Sequence, residues 1–456
     1  MTHRVSWMVL LGHLLVAELA WSDSRTDPDT ASAMLRAQGK HFEQAQVVKT
    51  APNVFTAVGY HGATSSMIVG EDGVIIVDTL MGPTSAGNAF EALREYSDKP
   101  VKAIIYTHSH GDHTGGASIF AGDGAPDVYA TDVFGATLTE MGDLQPIVRK
   151  RGIRQFGRTL PPEEATNRGV APAKTLDHDR GKGFLSPTIS ISGGSHKTTI
   201  AGVAVEMYAG PGETDDALFV WLPQEKVLFA GDNFYQAFPN LYAIRGTAYR
   251  DIRKWSESLA YMASFKPDHL IGGHTLPISG ASSVQALMDY SAVIRSVYDQ
   301  TVSGINQGKT PDIIAHEVQL PAEYRDKPYL VEFYGNIAHA SRAVFAGLMG
   351  WYDGNPTTLS KLHPRDEAEK ISKLVGGAKR LEKKMAEALS NDEYQWAMQL
   401  ADHLKWLDER YLPIARDTKI KALRALAEQE YNAPNRNYYL TYARELESGD
   451  LAEVWF

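Results

Sequence analysis

The run His108-Ser109-His110-Gly111-Asp112-His113 puts three imidazoles and a carboxylate within six residues. Imidazole nitrogen and carboxylate oxygen suit zinc and related divalent ions. The run follows directly on "VKAIIYT", Val101–Thr107, which reads as a buried strand. In a tight turn after a strand, alternate side chains can aim at one point while the next pair aims at a second. Such a turn can serve two metals. Gly111, Gly115 and Gly116 leave the backbone room to fold closely. The alternative is a polar surface loop with chance histidines, and the density and the strand–loop setting argue against it. His178 lies in an irregular stretch and is not expected to be a ligand.

The elements that must position this turn are short strands. Asn53–Gly59, Thr64–Gly70 and Gly73–Asp78 are β-rich runs between Gly and charged turns. Ala86–Tyr96 has helical spacing, and one helix is expected over Asp132–Arg151. A Gly/Pro-rich stretch, Gly157–Pro187, follows; a connection this long is usually functional. Strands resume at Thr188–Ser192, Val203–Tyr208, Ala217–Leu222 and Lys226–Ala230. A helix over about Asp251–Phe265 leads to a last strand, His269–Gly272. From about Ala281 strand signals vanish and Ala/Leu/Lys/Glu-rich helical segments run to the end. The expected organisation is a mixed α/β domain over 40–283 and an all-helical domain over 284–456.

Composition narrows the class. A chain of 456 residues, 43% hydrophobic and 22% charged, has ample material for a core. Its net charge of −10 disfavours nonspecific nucleic-acid binding, which needs basic surface to displace phosphate counterions. An anionic small molecule stays open, because a local cationic site can outweigh the global field. The absence of cysteine excludes disulfides, iron–sulfur clusters and thiolate zinc sites. Arg4, the apolar run Val5–Leu19 and Ala20-Trp21-Ser22 read as a signal peptide over 1–22, hence a periplasmic or secreted protein. No later apolar run reaches the ~18–20 residues of a membrane span.

"THSHGDHTGG" resembles the metal-binding signature of the metallo-β-lactamase superfamily, whose fold is an αββα sandwich with the site at one edge. The resemblance implies further site residues. Asp78, ending "VIIVD", matches a buried Asp that orients a ligand histidine from behind. Glu213 of "GET" stands where many members carry His. Asp232 of "FAGD" matches a carboxylate bridging two metals, and His274 of "LIGGH" matches the last His ligand.

Glu213 narrows the family, since the alkyl sulfatases of this superfamily carry Glu there. "NLYAIRG" (Asn240–Gly246), then Arg250-Asp251 and Trp255, and "EFYGNIAHASRAVFAGLMGWYDGNPTTL" (Glu332–Leu359) are similar to alkyl sulfatase motifs. The likeness extends over about residues 45–450. It implies a binuclear zinc hydrolase of sulfate monoesters, with two zinc ions per chain. His108, His110 and Glu213 would hold one, Asp112, His113 and His274 the other. Asp232 and a water or hydroxide, the nucleophile, would bridge them. Asn240 and Arg245 would bind sulfate oxygens, with Tyr334 and Arg342 walling the pocket. The products would be an alcohol and inorganic sulfate. A homodimer through the helical domain is the family's arrangement. The chain departs from the family in three ways. Asp232 replaces the commoner Glu, Pro239 replaces a His before Asn240, and the sequence to Phe456 leaves no room for a sterol-carrier-like third domain. The alternative is another hydrolase of the same fold, a β-lactamase, lactonase or phosphodiesterase.

Overall fold

The computed structural model describes residues 26–175 and 178–449. The expected leader lies outside the described residues. Two sheets face each other. The first holds β1 (Gln46–Ala51), β2 (Val54–Val58), β3 (Ser65–Val69), β4 (Val74–Val77), β5 (Val101–Ile105), β6 (Asp127–Thr131) and β7 (Ile189–Ile191), side by side in that order. β1 to β4 pair antiparallel, and β4 to β7 pair parallel. The second holds β8 (Ser195–Ile200), β9 (Val203–Ala209), β10 (Leu218–Leu222), β11 (Val227–Gly231), β12 (His269–Gly272) and β13 (Ile278–Ser279). Only β11 and β12 pair parallel there.

The central strands β4, β10 and β11 are apolar on both sides, as a sheet covered on both faces requires. Ile68, Ile75, Val77 and Ile105 meet Val205, Val220, Leu222 and Phe229 in the core between the sheets. The outer face of the first sheet, Met67, Ile76 and Ile104, packs on Ala86, Ala89 and Leu93 of the helix Pro83–Arg94. The outer face of the second, Phe219, Trp221 and Leu228, packs on Trp255, Leu259 and Met262 of the helix Ile252–Ser264. These layers are the αββα sandwich. The helix Ala281–Asn306, where the sequence texture changes, shares that last core through Leu287, Tyr290 and Ile294. Beyond it, helices between Pro364 and Ser448 enclose their own core of Leu381, Met385, Leu400, Leu404, Leu423 and Leu446. Among the described residues no helix is long and apolar enough to cross a membrane.

The single helix expected over Asp132–Arg151 is two, Ala136–Glu140 and Gln145–Gln155. Gly142 weakens the join, and Pro146 sits in the first turn of the second helix, where a missing N–H costs nothing.

Candidate metal centre

The site lies where strands end. β4 leads into Asp78, β5 into 108–113, β11 into Asp232, and β12 into His274. Asp78 takes a positive φ of 58° and turns its carboxylate back under the turn. Its Oδ1 accepts the Thr107 amide at 2.8 Å and its Oδ2 the Thr107 hydroxyl at 2.8 Å. His113 Nδ1 donates to the same Oδ2 at 2.7 Å.

These bonds fix the imidazole tautomers. The Thr107 hydroxyl proton is spent on Asp78, so His108 Nδ1 donates to Thr107 Oγ1 at 3.1 Å. His274 Nδ1 donates to the Gly62 carbonyl at 2.7 Å. Each of the three rings is left with Nε2 facing inward, and all three face one carboxylate. Asp232 Oδ1 is 3.2 Å from His113 Nε2 and 3.3 Å from His274 Nε2, and its Oδ2 is 3.6 Å from His108 Nε2. Gly273 is the close neighbour that allows this, since a Cβ there would fall 1.9 Å from Asp232 Oδ1.

Two groups of donor atoms result, each compact enough for one cation. His108, His110 and Asp232 form one; Asp112, His113 and His274 form the other. His108 Nε2 and His110 Nδ1 stand 2.9 Å apart, and Asp112 Oδ2 is 3.9 Å from His274 Nε2. Buried His113 Nε2, Asp232 Oδ1 and Glu213 Oε2 have no hydrogen-bond partner. Ring nitrogens turned inward onto one shared carboxylate fit divalent cations of the zinc type.

Without a cation the charges sort themselves unevenly. Burial lowers an imidazole, yet at His113 it is outweighed by Asp232, Asp78 and Asp112, and at His274 by Asp232 and Asp112. Both rings are held above the usual range. Burial, His108 and Arg245 push His110 well below it. Asp232 runs against its burial, held well below the carboxylate range by His274, His113 and His108. Burial pushes Glu213 up to about 7 in spite of Arg250.

Glu213 stands at the rim of the first group, its Oε1 4.0 Å from His110 Nδ1. The same oxygen is 2.9 Å from Arg250 Nη2 in an ion pair with both side chains under 5% exposed. Arg250 Nη1 also donates to the Asn240 carbonyl. The spacing of the motifs carried no sign of this pair, nor of Asn233, whose Oδ1 accepts the Glu213 amide at 3.0 Å.

Two adjoining cavities open from the centre. One, of about 290 Å³, has Leu138, Met141, Val148 and Tyr249 on its walls; the other, of about 160 Å³, reaches Asp112, Asp232, His274 and Tyr334. His110, Glu213, Arg180 and Arg245 line both. Among the described residues the Arg245 guanidinium makes no hydrogen bond or ion pair, although its amide donates to Gln155 Oε1 at 2.8 Å. Asn240 is buried with its Nδ2 unpaired and lines neither cavity. Arg342 does not wall the pocket. It sits at the surface, 2.7 Å from Asp312 and bonded to the Pro311 carbonyl, because its helix turns that face outward.

Fold and site together define a metallo-β-lactamase superfamily protein, and that superfamily's family model matches residues 58–274. The alkyl sulfatase dimerisation model matches residues 310–449. A linear primary-alkylsulfatase from a Pseudomonas species is 33% identical over 400 residues, 85% of this chain and 75% of that one. An (R)-specific secondary-alkylsulfatase from Pseudomonas is 30% identical over 434 residues, 92% of this chain and 65% of that one. The solved structure of a stereoselective inverting sec-alkylsulfatase from Pseudomonas superposes with a TM-score of 0.84 at 28% identity, covering 94% of this chain and 69% of that one. The chain belongs to the alkyl sulfatase family of this superfamily.

Proposed function

We propose that this chain hydrolyses sulfate monoesters of alkyl alcohols, using two zinc ions and releasing the alcohol and inorganic sulfate. The observation that carries the reading is the Arg245 guanidinium. Among the described residues it makes no hydrogen bond or ion pair, and it lies on the wall shared by both cavities, beside His110 and Glu213. A guanidinium forks onto a tetrahedral oxyanion and holds the charge that develops there.

His108, His110 and Glu213 would hold one cation and Asp112, His113 and His274 the other, with Asp232 between them. When bound, the pair supplies charge that acidifies a water and offsets the charge of the sulfate. The rest is the work of side chains. Asp78 fixes His113, and the Gly62 carbonyl fixes His274, so each presents Nε2. Arg250 orients Glu213 through the 2.9 Å ion pair and works against the burial that favours its protonated form. Burial holds the Tyr334 phenol well above its usual range, so it stays a hydrogen-bond donor toward the ester. Leu138, Met141 and Val148 offer the alkyl part an apolar wall. Asn240 would act on the sulfate only after a movement of its amide.

A homodimer fits the helical region. Leu348, Met349, Trp351, Leu359 and Leu362 are about half or more exposed, Trp351 at 75%. They fall within one stretch of the segment matched by the dimerisation model. Several large apolar side chains exposed within one such segment are what a protein–protein contact would cover. The leader reading adds export to the periplasm or medium.

The test is a panel of an alkyl sulfate, a phosphodiester, a carboxylate ester and a cephalosporin, with the metal content of the same sample measured. Turnover of the sulfate ester above all others is expected. Turnover of the cephalosporin or phosphodiester with the sulfate untouched would overturn the reading.

A further inference from the structure

We infer that the helix Ala433–Ser448 is the element that positions the substrate cavity, with Asn432 as its central positioning residue. The inference rests on the reading that Tyr334 faces the ester.

Tyr334 lies on a strap, residues 331–335, that belongs to no helix or strand. The catalytic side holds the strap by its backbone. Phe238 N donates to the Val331 carbonyl at 2.8 Å, and Gly335 N donates to the Phe238 carbonyl at 3.0 Å. The strap runs so close that a Cβ on Gly335 would fall 1.8 Å from the Pro239 carbonyl.

The helical domain grips its other side. Asn432 is fully buried. Its Nδ2 lies 2.7 Å from the Glu332 carbonyl, 3.2 Å from that of Tyr334 and 2.9 Å from that of Gly335. An amide nitrogen has two protons, so three carbonyls share two donors. Oδ1 of the same side chain accepts the Asn435 amide at 3.1 Å and so caps the helix. Ala433 N adds a bond to the Phe333 carbonyl at 2.9 Å. Only a carboxamide meets these demands. A carboxylate in its place would set oxygen against three carbonyl oxygens.

The same helix pins two further walls. Asn437 Nδ2 donates to the Asn167 carbonyl at 3.1 Å, beside Arg168, Val170 and Ala171 of the smaller cavity. Glu445 takes Arg154 through Nε at 2.9 Å and Nη2 at 2.6 Å, which fixes the helix Gln145–Gln155 that carries Val148. Three wall segments, distant in sequence, thus share one support. Misplacing a positioned group by about 1 Å can cost on the order of 10²-fold in rate.

The test uses the full-length, metal-loaded chain. Asn432→Asp, Asn437→Ala and Tyr334→Phe are compared with the Asn432→Asp/Tyr334→Phe double variant for kcat, KM, zinc content and Tm. With an alkyl sulfate, Asn432→Asp is expected to lower kcat/KM about 10²-fold with zinc content unchanged. In the Tyr334→Phe background most of that loss should disappear, because both changes act on one group. A Tm drop with wild-type kcat/KM, or an equal loss in both backgrounds, would show that Asn432 only holds domains together and would overturn the inference. Tyr334→Phe at wild-type activity would overturn it through the reading beneath it. Should Asn432→Asp fail to fold, Asn437→Ala carries the test, with a fall in kcat/KM of several-fold at unchanged zinc content expected and no fall overturning it.

Discussion

Replacing Arg245 by alanine removes a guanidinium that makes no hydrogen bond or ion pair among the described residues. Its amide, not its side chain, bonds to Gln155, so the backbone connection survives the substitution. The side chain is partly buried on the wall common to both cavities, and burial followed by repulsion from Arg250 lowers its pKa from the usual value. A cation kept in that setting gains from an anion arriving beside it. Loss of a desolvated, bidentate partner of an oxyanion costs roughly 2–5 kcal/mol. That is a fall of roughly 30- to several-thousand-fold in kcat/KM. Lysine should recover only part of it, since a point charge cannot reproduce the fork. The assay is kcat/KM of Arg245→Ala and Arg245→Lys on an alkyl sulfate and on a neutral carboxylate ester, with Tm alongside. The expected result is a large, sulfate-selective loss at nearly unchanged Tm. An equal loss on both esters, or a collapse in Tm, would refute the assignment of the sulfate pocket.

Four further outcomes follow from the same geometry. Asp78→Ala frees the His113 ring and should weaken metal binding about 10- to 100-fold, read by competition with a chelator. Glu213→Gln removes a donor oxygen and leaves Arg250 without its buried anion, so both zinc content and Tm should fall. Burial, with Glu430 nearby, pushes the Glu332 carboxyl up to about 7, although its bond to the Ile337 amide works the other way. The folded chain therefore keeps that proton between its ordinary value of 4.5 and about 7, where the unfolded chain has lost it, and this contribution to stability is lost as pH rises through that window; Glu332→Gln should flatten the fall in Tm. Trp351→Asp, paired with Met349→Asp, should convert a dimer to monomers in light scattering, and an unchanged dimer would move the interface elsewhere.

What the sequence made legible is what local chemistry dictates. The turn 108–113 shows because four candidate ligands, three His and one Asp, crowd after a buried strand. The sandwich shows because its inner strands are continuous apolar runs. β8, "SHKTTI", is missed because it alternates exposed and half-buried polar residues at a sheet edge. β6, "DVYAT", is missed because only five residues separate Pro126 from Asp132, too short a run to stand out as a strand. The Arg250–Glu213 pair, the Asn432 clamp and the Gly62 carbonyl behind His274 span 37, 100 and 212 residues at their widest, and no periodicity reports contacts at such range. Arg342 looks like a pocket residue by its place in a motif, and only the packing of its helix turns it to Asp312.

The measurement closest to the central claim is a zinc titration of the metal-stripped, full-length chain, with inorganic sulfate release from an alkyl sulfate followed at each step. The account predicts that release rises with added zinc and levels off at two ions per chain. Full release from the metal-stripped chain, or two ions bound with no sulfate released, would contradict it.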